Sequence, residues 1–332
     1  MPDISEFPSP LPSDAVPERL KWRSADLGPD AGKIALPTEV EAELGAFAAA
    51  LDRNPVPLLL LRLEEFELGA SRRFMRTVKD SIDSGLGFAI VDRLPVDRWS
   101  ESGARAVWWL LASMIARPVA QKWDGTSYYD VRDHGIPIGD GVRPDTTNND
   151  QNYHTDNSFG SVPPDYVGLF GLFCLRTAME GGVSGLVSFA TVHEEMRRRY
   201  PELLARLYRP FHFDRQYEHP AGEERTILHP MFERHGKRLA ARLSLYHLRN
   251  GYRVSGCEID DEGKAATDAF EEILATPGLG ANFHFEPGQI QLVDNLAIGH
   301  KRTGFRDWPE PGRKRLLIRL WLRDHGSRAY NG

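Results

Sequence analysis

A mainly β core with flanking helices, in the α+β class, is what this sequence predicts, and three observations predict it. Residues 207–258 and 282–324 alternate apolar and polar positions as strands do. Helical patterns crowd instead into residues 38–116, ahead of those strands, and return in two later insertions. That order suits one β-rich core rather than a doubly wound sheet, in which strands and helices would alternate throughout.

Taken in order, residues 1–37 hold seven prolines, at 2, 8, 10, 12, 17, 29 and 37, and little apolar period. They read as an extended arm that lies over the body or is partly disordered. Residues 38–53 are rich in Ala, Glu and Leu and predict a helix, as do residues 70–83. The run Gly87-Phe88-Ala89-Ile90-Val91 reads as a buried strand, and Ser100 to Ala116 as a long helix that stops before Pro118. From 125 to 160 Gly, Asp, Asn and Pro dominate, the signature of a long loop that is either functional or disordered. Tyr166 to Leu175 predicts a core strand. Thr191-Val192-His193-Glu194 has capping-box spacing and should open a helix running to Arg199. A further helix fits Lys264 to Leu274, after Asp260-Asp261 and before Pro277-Gly278. The expected organisation is the arm over 1–37 and a single domain over 38–332. That domain has a helical flank at about 38–116 and a β core at about 117–332.

Composition narrows the function. Of 332 residues, 41% are hydrophobic and 27% charged, which suits a globular chain with a sizeable core. Lys plus Arg is 41 against 47 for Asp plus Glu, a net charge of −6, and this argues against nucleic-acid and anionic-membrane partners. The apolar runs fall short of the ~20 residues that a membrane helix needs. Two cysteines, Cys174 and Cys257, make no CxxC pair, so neither a disulfide scaffold nor a structural zinc site is expected. The opening MPDISEFPSPLPSD has no signal-peptide pattern, so the expected location is the cytoplasm. A homo-oligomer stays open.

Chemistry concentrates in two places. In Asn152-Tyr153-His154-Thr155-Asp156-Asn157 a His-x-Asp occurs. On an extended backbone, residues two apart point to the same side, about 7 Å apart at Cα, so both side chains can reach one metal ion. The competing reading is a surface histidine followed by a turn aspartate. The second place is Asp294-Asn295-Leu296-Ala297-Ile298-Gly299-His300-Lys301-Arg302-Thr303-Gly304-Phe305, followed by Arg315-Leu316-Leu317-Ile318-Arg319-Leu320-Trp321-Leu322. Leu316, Ile318, Leu320 and Leu322 make one face of a strand, while Arg315, Leu317, Arg319 and Trp321 make the other. A buried guanidinium is costly without an anion, so the arginines meet acidic side chains, a ligand carboxylate or water.

The order His-Thr-Asp, Gly-Gly-Val-Ser, Asp-Asn…His-Lys-Arg-Thr-Gly-Phe and Arg-Leu-Leu-Ile-Arg-Leu-Trp-Leu resembles the iron(II)/2-oxoglutarate oxygenases. More narrowly, it is similar to their taurine dioxygenase and clavaminate synthase-like branch over about residues 85–325. The resemblance implies a double-stranded β-helix (jelly-roll) core. It implies His154, Asp156 and, 146 residues after His154, His300 as the ligands of Fe(II). Two imidazoles and a carboxylate on one face leave adjacent positions open for the 2-oxo acid and dioxygen. It implies Arg319 as the grip on the distal carboxylate of 2-oxoglutarate, since a planar fork suits a carboxylate.

Ser184 stands where relatives often carry a threonine that bonds the same carboxylate; a turn serine after two glycines is the competing reading. Arg315, about 13 Å along the strand from Arg319, is expected on the substrate side or in a structural role. Asp156 argues against the halogenating relatives, which replace this carboxylate. Asn157, Ser158 and Phe159 are expected beside the open metal position, and Tyr129 in a lid over it within the loop 128–149. The expected reaction is hydroxylation or desaturation of a small molecule with release of succinate and carbon dioxide. A metal-dependent hydrolase or a non-catalytic binding protein on the same barrel are the alternatives. A serine hydrolase has no support, because Leu186 replaces the last glycine of a Gly-x-Ser-x-Gly elbow.

Overall fold

Alternation along Leu316–Arg323 organises the centre of the molecule. Leu316, Ile318, Leu320 and Leu322 bury themselves under the helices, whereas Trp321 points the other way into a second core. The computed structural model describes residues 9–137, 142–158, 167–235 and 238–330. In it, this strand lies in a seven-stranded sheet. Its order is Lys33–Ala35, Phe88–Asp92, Ile290–Asp294, Leu169–Arg176, Leu316–Arg323 and Arg117–Val119, with Tyr129–Val131 also paired to Leu316–Arg323. The pair Lys33–Ala35 and Phe88–Asp92 is parallel and the other pairings are antiparallel. A second, antiparallel sheet holds Ala281–Phe283, Ser184–Ser188, Ile298–Arg302 and Gln151–His154.

The two sheets share one core, in which Phe170, Val293 and Trp321 meet Tyr153, Leu186, Val187 and Ile298. The arm supplies Leu11, Val16, Leu20 and Trp22 to the same core. On the outer face of the larger sheet lie the helices Thr38–Arg53, Gly69–Ser84 and Glu101–Ile115. Ser100 caps the third, its hydroxyl accepting from the Gly103 N–H at 2.9 Å. Trp108, fully buried on that helix, presses on Gly171, where a Cβ would stand 2.5 Å from the indole. A glycine is therefore required for the helix to approach the sheet this closely.

Three elements differ from expectation. The helix read from Thr191 begins two residues earlier, as Phe189–Arg199, and the Thr191 hydroxyl instead bonds the Trp22 carbonyl at 2.7 Å. The helix read from Lys264 starts at Asp261, because Asp260 accepts from the Gly263 N–H at 2.7 Å and caps it. The stretch 207–258, read as strands, contains the helix Leu245–Ser255. Ser244 caps its start and Gly256, at φ +70°, ends it in the left-handed region. The predicted strand from Tyr166 spans Leu169–Arg176, Tyr166 itself lying outside the described residues. Among the described residues no helix is long and apolar enough to cross a membrane.

Candidate metal centre

Strand pairing brings the three far-separated side chains together. His300 sits opposite His154 across the smaller sheet, with their rings 4.1 Å apart at the centroids. Asp156 follows two residues after His154, past the end of its strand. Both Nε2 atoms, of His154 and His300, lie 3.8 Å from the same oxygen, Asp156 Oδ1. One ligand atom from each residue falls within 4.8 Å of the others. Among the described residues this is the group of His, Cys, Asp and Glu side chains able to hold a metal.

The surroundings prepare the three donors. His154 Nδ1 meets the Asn152 carbonyl at 2.8 Å, which fixes its proton there and turns the Nε2 lone pair toward Asp156. Burial lowers the His154 pKa, and burial together with His154 and Arg319 holds His300 well below the usual range. Both imidazoles are therefore neutral, as metal ligands must be. Asp156 is oriented through its second oxygen, where the Trp321 indole N–H donates to Oδ2 at 2.7 Å. Its backbone is clamped by Asn295, whose amide accepts from the Asp156 N–H at 2.9 Å and donates to the Asp156 carbonyl at 2.8 Å. Two nitrogens and one carboxylate oxygen on one side suit iron(II) and leave the opposite side open. Sequence reasoning passed over Trp321 and Asn295 as site residues. The signal for Trp321 was its place on the same strand face as Arg319, and for Asn295 its place five residues before His300.

The arginines divide the site. Arg319 is buried beside two carboxylates, although its Nη2 makes no hydrogen bond. Its Nε donates to Gln121 Oε1 at 2.8 Å, Nη1 reaches Asp156 Oδ1 at 3.3 Å, and Nη2 lies 3.1 Å from Asp145 Oδ2. Burial works to raise the Asp145 pKa, but Arg143 and Arg319 outweigh it and keep the carboxylate charged. Arg315, 5% exposed, leaves Nη1 with no hydrogen-bond partner. Burial lowers its pKa to about 9, the mark of a cation without sufficient compensation. Arg302 is similar, with Nε and Nη1 unpartnered and its pKa pushed down by burial to about 10.

A chamber of about 30 Å³ connects these arginines to the triad, its walls including His154, His300, Ser184, Arg302, Arg315 and Arg319. Ser184 is buried at the start of an inner strand of the smaller sheet, between Phe283 and Arg302. On the other side of the triad a cleft of about 440 Å³ opens outward between His154, Asp156, Asn157, Arg319, His247 and Asn250. Asn157 thus reaches the cleft. Ser158 is fully buried and shares a 2.9 Å hydrogen bond with His247 Nδ1, so it supports the helix Leu245–Ser255 rather than facing the cleft. Phe159 lies outside the described residues. Tyr129, expected in a lid, is instead in the strand Tyr129–Val131, where its buried ring faces the guanidinium groups of Arg319 and Arg143 at 4.8 and 5.4 Å. It stacks beneath the cations because the strand pairing turns it inward.

The sequence model of the Taurine catabolism dioxygenase TauD, TfdA family matches residues 61–321, a span that contains His154, Asp156 and His300. FR-33289 synthase of Streptomyces rubellomurinus is 27% identical over 296 residues, covering 87% of this chain and 81% of that protein. An asparagine oxygenase crystallised with Fe(II), 2S,3S-3-hydroxyasparagine and succinate superposes with a TM-score of 0.65 at 18% identity, over 88% of this chain and 93% of that one. The non-haem iron oxygenase OrfP in complex with Fe and alpha-ketoglutaric acid gives 0.63 at 15%, over 88% and 94%. These two likenesses establish a shared fold.

Proposed function

The chain belongs to the taurine catabolism dioxygenase TauD, TfdA family, and from that premise we propose that His154, Asp156 and His300 hold its iron(II). The protein is an iron(II)- and 2-oxoglutarate-dependent oxygenase of a small molecule. The observation that carries the site assignment is the convergence of two Nε2 atoms on Asp156 Oδ1, at 3.8 Å each. Bound iron supplies the redox chemistry by which dioxygen oxidatively decarboxylates 2-oxoglutarate to succinate and carbon dioxide while a substrate C–H bond is hydroxylated or desaturated.

The chain's own residues bind and orient. We assign the distal carboxylate of 2-oxoglutarate to Arg315, with Ser184 beside it, and so exchange the roles that the resemblance implied for the two arginines. Each arginine has one buried Nη without a hydrogen bond, but Arg315 has no ion-paired carboxylate among the described residues, whereas a diacid carboxylate on Arg319 would stand against Asp145 and Asp156, the latter a metal ligand. Arg302, also under-compensated, adds positive charge to the same chamber. Arg319 then serves twice. It steadies Asp156, and with Asp145 it offers the front cleft a cation and an acid side by side. Such a pair suits a zwitterion, so an amino-acid-like substrate is the class we propose for the cleft, with Asn157 and His247 on its walls.

We also take residues 38–332 as one catalytic domain, with 1–37 as an arm that adds the edge strand Lys33–Ala35 to its sheet and Leu11, Val16, Leu20 and Trp22 to its core. A cytoplasmic location is supported by two unpaired thiols, Cys174 buried and Cys257 exposed.

The test is anaerobic addition of Fe(II) and 2-oxoglutarate, read by the visible charge-transfer absorption of the chelate. The band should form in the wild type and be absent in His154→Ala and Asp156→Ala. Arg315→Ala should bind iron normally and weaken 2-oxoglutarate by about 2–4 kcal/mol, the range for losing a charge-assisted carboxylate contact in a buried site. Unchanged 2-oxoglutarate affinity in Arg315→Ala returns the anchoring role to Arg319.

A further inference from the structure

Arg315 forms part of two cavities. One is the narrow chamber beside the metal ligands. The other, of about 330 Å³, lies behind the arginine, and its walls include Cys174, Ala178, Gly182, His284 and Phe285. Its rim reaches solvent at Glu180, Gly181 and His284, all exposed, while its floor of Cys174, Leu317, Phe285 and Arg315 is buried. Three residues, Phe285, Arg315 and Leu317, belong to both cavities and form the partition between them. The chamber's 30 Å³ has room for about two waters, since one needs ~10–15 Å³ measured this way. A five-carbon diacid therefore enters only when a wall moves.

Of the chamber residues outside the paired strands, Asp145 on the front side is ion-paired to Arg143 and Arg319, which leaves Phe285 and Arg315 at the rear. Phe285 is in the connection between the strands Ala281–Phe283 and Ile290–Asp294, whereas His154, His300 and Arg319 sit in paired strands. The charge at the rear floor is also right for an anion. Arg315 Nη1 is unpartnered, Glu180 at the rim is ion-paired to Arg306, and Asp307 accepts through Oδ1 from the Arg315 backbone N–H at 2.7 Å. The Cys174 thiol is pushed up to about 12 by burial and stays neutral. From the front, by contrast, a diacid would have to pass between the triad and Arg319, through the space that a substrate occupies.

We propose that this rear cavity is the passage for short dicarboxylates, 2-oxoglutarate inward and succinate outward, with Phe285 and Arg315 as its gate. The inference rests on the reading of Arg315 as the anchor of the distal carboxylate. It gives the enzyme two doors, so that cosubstrate exchange at the rear is independent of what fills the front cleft.

A passage and a contact leave different kinetic signatures. Ala178→Trp and the milder Ala178→Leu fill the rear cavity without removing a group that bonds the diacid. Stopped-flow mixing of the anaerobic Fe(II)-loaded protein with 2-oxoglutarate, followed by the charge-transfer band, gives both rates. In Ala178→Trp, association and dissociation should slow together by about tenfold or more, as expected when a gate rather than a contact is changed, with Kd within about twofold. Ala178→Leu should show the same pattern to a smaller degree. Asn250→Trp, which narrows the front cleft, should leave both rates as they are. Unchanged rates in both Ala178 variants, or slowing confined to Asn250→Trp, overturns the rear passage. Arg315→Ala keeps the two readings apart. A weakened Kd there together with unchanged rates in the Ala178 variants removes the passage alone, and an unchanged Kd removes the anchor on which it rests.

Discussion

At the residue scale the metal centre depends on groups one step removed from the ion. Asp156 Oδ1 faces both imidazoles because Oδ2 is held by the Trp321 indole at 2.7 Å. Trp321→Phe keeps the aromatic packing and deletes that donor. Metal affinity, titrated with Fe(II) or Mn(II) under anaerobic conditions, should fall about 10–100-fold, as it does when a group orienting a metal ligand is lost. An unchanged affinity would show that Arg319 at Oδ1 and the Asn295 clamp on the backbone suffice to orient the carboxylate. His154 and Asp156 were legible in the sequence because their tripeptide, with the later motifs in order, resembles the oxygenase family; extended spacing alone also allowed a surface histidine and a turn aspartate. The split between Arg315 and Arg319 was not legible there. Both share a strand face in the sequence, and only the tertiary partners differ: Arg319 has Gln121 and the ion-paired Asp145 and Asp156 around it, and Arg315 has no ion-paired carboxylate among the described residues.

At the element scale, the helix Leu245–Ser255 forms one wall of the front cleft, contributing Leu245, Tyr246, His247, Arg249, Asn250 and Arg253. Its sequence alternates in a way that also fits a strand, and the decisive marks are at its ends. Ser244 accepts from the His247 N–H at 3.2 Å, and Gly256 supplies the left-handed turn. Ser244→Ala should cost about 1 kcal/mol of stability in urea denaturation, the usual value of a lost N-cap. The change should also alter substrate KM more than 2-oxoglutarate KM, because this helix walls the cleft and not the chamber. The capping box expected at Thr191 shows the opposite case. Its spacing was correct, yet the arm's Trp22 carbonyl took the hydroxyl, a partner 169 residues away.

At the scale of the whole molecule, three buried histidines tie stability to pH. Burial is the leading cause that lowers His193, His229 and His247 each to about 3, while in the unfolded chain each titrates near 6.5. Below pH 6.5 the unfolded state binds protons that the folded state refuses, so this stability is present above that pH. It falls steadily as the pH drops toward 3. Denaturant midpoints of the metal-free protein, measured from pH 7 to pH 4, should decline with a slope to which these three contribute alongside His154 and His300, and the triple substitution His193→Gln, His229→Gln, His247→Gln should reduce it by about three protons. A slope unchanged by the substitutions assigns the acid sensitivity elsewhere.

Read alone, the chain determined its class, most of its helices and its two longest strands, because each rests on local periodicity, while the trio His154, Asp156 and His300 was singled out by its resemblance to a family pattern. Only the folded structure decided which arginine is paired and which is left wanting an anion, where two cavities meet, and which tryptophan steadies the carboxylate. Those are properties of burial and of partners distant along the chain, and a charge has its chemistry set by what surrounds it in space.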